Sequence, residues 1–136
     1  MSGLLPQWEE MSPARRFFDA VLLPAAFGFL CGLALGVSAA LCLVGVVLAL
    51  AGGIGGGAQY ASRRHALIRG LVGGTLFGLF ILLGFELGGE EEPKVDLPDP
   101  HILLLVLTIV PSIPLHWLGW RLRPRLHGES QPTEAA

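Results

Sequence analysis

Charge is what this sequence lacks most. From Ala20 to Ser62 there is no Asp, Glu, Lys, Arg or His, a run of 43 residues. Charged residues make up 15% of the whole chain, against about 25% in an ordinary soluble domain. A chain of 136 residues has too little interior to hide such a run, which excludes a soluble fold. A basic excess is also missing. The net charge is −2 and Lys94 is the one lysine, so nothing here suits a nucleic-acid partner. Catalytic patterns are absent too. The sequence holds no Cys-x-x-Cys, no His-Glu-x-x-His and no Ser, His and Asp arrangement, so no enzyme, cofactor or metal is expected. The two cysteines, Cys31 and Cys42, both fall in the uncharged run and read as buried free thiols at one depth on adjacent helices.

What is present is apolar sequence in long stretches. As a single helix, the uncharged run would extend about 64 Å, twice the ~30 Å hydrocarbon core of a bilayer. It must fold back, and Gly36-Val37-Ser38-Ala39 at its midpoint supplies the turn. Val37-Ser38-Ala39 also loosely resembles a leader cleavage site behind Arg15 and Arg16. Apolar sequence continues past Ala39, so the segment reads as a retained span. The expected fold is all-α: one integral membrane domain over 1–136, a bundle of four transmembrane helices in two hairpins. The helices are placed at about 13–36, 39–60, 66–87 and 100–122. An acidic outer loop over 88–99 and a disordered tail over 124–136 complete the reading. Ser12 and Pro13 suit the start of the first helix, and Asp99 and Pro100 the start of the fourth. Pro24 removes a backbone donor and bends the first helix.

The arginines set the orientation. Arg15 and Arg16, then Arg63, Arg64 and Arg69, then Arg121, Arg123 and Arg125 all fall on one side of a four-span layout. Lys94 lies on the other, among Glu86, Glu90, Glu91, Glu92, Asp96 and Asp99. The positive-inside rule puts both termini in the cytoplasm, and the Arg-, Ala- and Gly-rich composition suits a bacterial inner membrane. Trp117 and Trp120 suit the interfacial belt at the same end.

Sixteen of the nineteen glycines fall within 28–89, many of them four apart. Gly28, Gly32 and Gly36 make one ridge. Gly45, Ala49, Gly53 and Gly57 make a second, and Gly70, Gly74 and Gly78 a third. In lipid, helices associate through close packing, and a ridge of small residues of this GxxxG kind lets backbones approach. These ten positions are the expected helix-packing residues. Helix four has no such ridge; with Pro111 and Pro114 it reads as peripheral, Thr108 and Ser112 serving the backbone groups its prolines leave free. The segment AGGIGGGAQY (51–60) reads either as a tightly packed helix end or as an unwound stretch lining a cavity. Glu86 and His101 are the candidates for a transport site or proton relay. His65 and His116 lie toward one end, where a bis-His haem is the remoter reading.

Two functions follow. The first is a non-enzymatic membrane protein acting by helix association, as an accessory or assembly subunit with a membrane-protein partner. The alternative is a homo-oligomeric small transporter or channel built on the glycine-rich segment.

Overall fold

The computed structural model describes residues 6–88 and 95–127. Among them every regular element is helical. Four helices are long and apolar enough to cross a membrane: α1 (Pro13–Val37), α2 (Ala39–Ala58), α3 (Arg63–Gly88) and α4 (Leu103–His127). A single 3₁₀ turn, Trp8–Glu10, precedes α1.

The starts of these helices follow local chemistry. Ser12 accepts a hydrogen bond from the Arg15 backbone N–H at 3.3 Å, with Pro13 as the first helical residue. Ser38 adopts an extended backbone (φ −162°, ψ 126°) between α1 and α2, and its hydroxyl accepts from the Leu41 N–H. One extended residue is enough to reverse the chain here. α4 begins later than the Asp99-Pro100 pair suggests. Three successive i→i+3 bonds, starting with the Leu103 N–H to the Pro100 carbonyl, precede it, so the first helical residue is Leu103. At the other end α4 continues through Pro124 to His127, so residues 124–127 are helical rather than part of a tail. The remainder of that tail, Lys94 and the Glu90–Glu91–Glu92 cluster lie outside the described residues.

Pro24 has a larger local effect than a bend. Residues Phe18–Leu22 form a π-turn, in which the Leu23 N–H reaches back five residues to the Phe18 carbonyl. In that register the next acceptor is the Asp19 carbonyl and its donor would be residue 24. Proline has no N–H to give. Arg69 of α3 supplies the missing donor: its Nη2 hydrogen bonds to the Asp19 carbonyl.

The helices do not pack in chain order. α1 lies along α3, α3 along α4, and α4 along α2. α1 and α2, though joined by one residue, meet each other less than either meets its main partner. α4 is therefore central to two interfaces and not peripheral. Two close backbone crossings, each lined by glycine, pin the ring. A Cβ on Gly84 of α3 would land on the Phe29 carbonyl and 3.2 Å from the Gly32 Cα of α1. A Cβ on Gly119 of α4 would land on the Ile54 carbonyl of α2, and one on Gly57 would land on the His116 carbonyl. Large aliphatic side chains point outward instead; Leu43 is 65% exposed and Val47 56%. Such a surface is stable against acyl chains and unstable in water.

The arginine-bearing end is capped by the N-terminal segment. The Trp8 N–H donates to the Gln59 carbonyl at 2.9 Å, and its indole stacks on Tyr60 with ring centroids 4.9 Å apart. Arg16 donates to the Trp8 carbonyl at 3.0 Å, Arg123 to Gln7 Oε1 at 2.9 Å, and Trp120 Nε1 to the Ala61 carbonyl at 3.1 Å. Burial under this cap pushes the Tyr60 phenol above its ordinary pKa, with Arg69 pulling the other way.

Candidate functional site: an apolar cavity with one polar end

The ring of four helices does not close at its centre. A half-open cavity of about 550 Å³ lies between them, within the ~300–1,000 Å³ range of small-molecule sites. Every helix contributes to its wall: Phe27 from α1, Val46 and Ala49 from α2, Phe77 and Ile81 from α3, Leu104 from α4. Residues 95–98, between α3 and α4, line it at the end remote from Arg69. Its existence follows from the packing order. The two glycine crossings draw α1 onto α3 and α2 onto α4, and the loosely apposed α1 and α2 leave the middle unfilled.

The wall is almost wholly apolar between its two ends: Asp96 lies at one, and Arg69, Ser112 and His116, with Thr108 a turn away, at the other. The Ser112 hydroxyl donates to the Gly70 carbonyl at 2.8 Å, joining α4 to α3. The two-proline segment therefore uses Ser112 between helices, and Thr108 donates to the Leu105 carbonyl at 3.1 Å; neither serves the carbonyls that Pro111 and Pro114 leave open. His116 is 4% exposed. Its Nδ1 lies 2.8 Å from the Ser112 carbonyl, which can only accept, so Nδ1 carries the proton. Nε2 is left facing Gly56, where a Cβ would come within 3.1 Å of it.

The glycine-rich segment 51–60 is a helix end, continuous through Ala58, and not an unwound stretch. Its role is to make room for His116. Gly53, Gly56 and Gly57 all face that residue, while Gly70 and Gly73 of α3 face it from the other side. A large, polar, buried ring needs a socket, and bare backbone on two helices provides one.

Among the described residues, Arg69 and, at the opposite end, the exposed Asp96 are the only Asp, Glu, Lys or Arg side chains on the wall. A guanidinium has five N–H donors. Among the described residues the Asp19 carbonyl is the only hydrogen-bond acceptor given to Arg69, and its Nε is buried without a partner. The Asp19 carboxylate lies 3.8 Å from the exposed Arg15 and also acts on Arg69 through space, without a hydrogen bond to it. A cation with idle donors beside an apolar hollow is costly unless something else occupies them.

The expected packing residues are placed as follows. Gly28 and Gly32 face the α3 backbone at Phe77 and Ile81, and Gly36 is buried. Gly70, Gly74 and Gly78 face α4 at Ile113, Ile109 and Thr108. Gly45 packs under Cys31, whose Sγ would lie 2.5 Å from an added Cβ; Gly53 and Gly57 face α4, and Ala49 lines the cavity. Cys31 is buried, Cys42 half-buried, and both are free thiols on the cavity wall. Glu86 and His101 do meet, at 3.9 Å, but both are exposed and neither lies on the wall, so the pair is a surface contact at the outer end. His65 is exposed at the start of α3, whereas His116 is buried in its socket.

Sequence reasoning missed three features. Arg69 reads as one more topology charge, Gly119 stands outside the four-spaced ridges and draws no reading, and His116 reads only as a residue toward one end. For Arg69 a signal exists: it lies six residues inside an apolar helix, deeper than Arg63 and Arg64. Neither a protein-family model, nor a curated protein, nor a solved structure matches this chain.

Proposed function

We propose that this protein is a small polytopic membrane protein that binds a lipid-like molecule inside its bundle, and that it acts by holding or moving that molecule without transforming it. The cavity carries this reading. It is apolar along most of its length, of ligand size, and has at one end Arg69, whose guanidinium keeps donors without an acceptor among the described residues. The reading is closer to a small transporter than to an assembly subunit. The glycine ridges have partners within the chain, so they are not left over for a second protein.

The proposed setting is a bacterial inner membrane with both termini in the cytoplasm, supported by the three arginine groups at one end of the bundle. In a variant without native cysteines, a probe at Glu91 should react with an impermeant reagent from outside, and one at Ser130 should not. Reaction at Ser130 would reverse the topology.

Cavity occupancy is tested by plugging. Ala49→Phe puts a ring into the hollow. Protein extracted with its native lipids should release a bound amphiphile that the plugged, folded variant lacks. Equal bound lipid in both would remove the cavity from the function.

A further inference from the structure

We infer that the polar end of the cavity binds the carboxylate of a single-chain fatty acid, with Arg69 as the head-group ligand and the chain directed toward Leu97. The inference rests on the cavity-binding reading above and specifies its ligand.

Four observations lead to it. Arg69 is held in place from behind, because Asp19 presents a carbonyl that Pro24 cannot serve. That bond uses one of five donors. Nε is sealed away from any ligand, and the remaining Nη donors have no acceptor among the described residues. The guanidinium is thus positioned but unsatisfied, and a carboxylate is the planar anion it matches best.

Charge selects the number of negative charges. Among the described residues Arg69 is the one permanently cationic group on the wall. It balances a carboxylate. A phosphate monoester carries about −1.5 to −2 and would leave charge unpaired in an apolar site.

Length selects the chain. The wall runs along α4 from Leu104 to His116, twelve residues or about 18 Å at 1.5 Å per residue. One leaflet of hydrocarbon is about 15 Å. A volume of 550 Å³ suits one chain and not a two-chain phospholipid entire.

Polarity sets the direction. Asp96, exposed at the end remote from Arg69, offers a carboxylate no attraction, so the head group is drawn to the Arg69 end.

The test uses the full-length protein in phosphatidylcholine nanodiscs with a palmitate analogue bearing a diazirine in its chain. Photolysis should label peptides containing Phe77, Ile81 or Leu104. Unlabelled palmitate should compete at least about tenfold better than hexadecanol, the low end of what a charged hydrogen bond contributes. Equal competition by the acid and the alcohol overturns the head-group assignment. Stronger competition by hexadecyl phosphate than by palmitate overturns the carboxylate assignment. Both comparisons use wild-type protein and do not depend on any variant folding. Arg69→Gln should lose the preference for the acid, and Arg69→Lys should keep part of it, with thermal melting confirming that each is folded. Ala49→Phe separates this inference from the one beneath it. If the plug does not reduce labelling, cavity binding itself fails. If the plug abolishes labelling but acid and alcohol compete equally, only the carboxylate assignment falls.

Discussion

Gly28, Gly32 and Gly36 in α1 share their spacing with Gly70, Gly74 and Gly78 in α3, yet the two triplets do different things. The first meets bare backbone. Gly28 and Gly32 press on the α3 chain, and Gly84 returns the contact against Phe29 and Gly32. The second meets side chains as well as backbone: Thr108 at Gly78, Ser112 at Gly74, and His116 at Gly70. One triplet closes a seam. The other opens sockets that let hydroxyls and an imidazole enter the bundle. Spacing alone says that a face is small. What fills the small face depends on the opposing helix, and α4 is the helix that brings polarity.

The largest break in this comparison should come from Gly32→Leu. Its Cβ would fall on the Ile81 carbonyl, with the Phe85 nitrogen 2.8 Å away, and backbone cannot rotate aside. We expect a loss at or beyond the ~3 kcal/mol upper range of overpacking, read as loss of cooperative melting in detergent. Gly74→Leu should cost less, about 2–3 kcal/mol. Its Cβ would lie 2.9 Å from the Ile109 Cα and 2.9 Å from the Ser112 Cβ, so α4 must shift but one neighbour is a side chain. If Gly74→Leu proved the worse of the two, the seam-and-socket distinction would be wrong.

Gly78→Ala sharpens the same contrast. The nearest obstacle is the Thr108 hydroxyl, which can turn away. About 1 kcal/mol of loss is expected, partly offset by the better helix propensity of Ala. The smallest effect belongs to Gly55→Ala. An added Cβ there meets nothing within 4 Å, so melting should stay unchanged or rise by up to ~1 kcal/mol. A clear drop at Gly55 would mean that this face of α2 contacts a second chain.

Arg69 shows where legibility ended. Its place in the sequence marks it as basic and near a helix start. Its role comes from α1, fifty residues earlier, where Pro24 leaves a carbonyl open in a π-turn. Neither residue predicts the other. His116 is similar: its socket draws on Gly53, Gly56 and Gly57 of one helix and Gly70 of another. The glycine-rich segment was legible as unusual, and the choice between a packed and an unwound helix required knowing that an imidazole would fill it.

The sequence by itself determined the number of apolar helices and the clustering of arginine. Both are properties of contiguous residues, decided by length, hydropathy and local capping at Ser12 and Ser38. Tertiary structure alone decided which helices are neighbours. Lipid exerts little hydrophobic force between helices, so chain order does not dictate partners and backbone shape does. The Gly32–Gly84 and Gly57–Gly119 crossings draw α1 to α3 and α2 to α4, and the hollow that this order leaves at the centre is the candidate site.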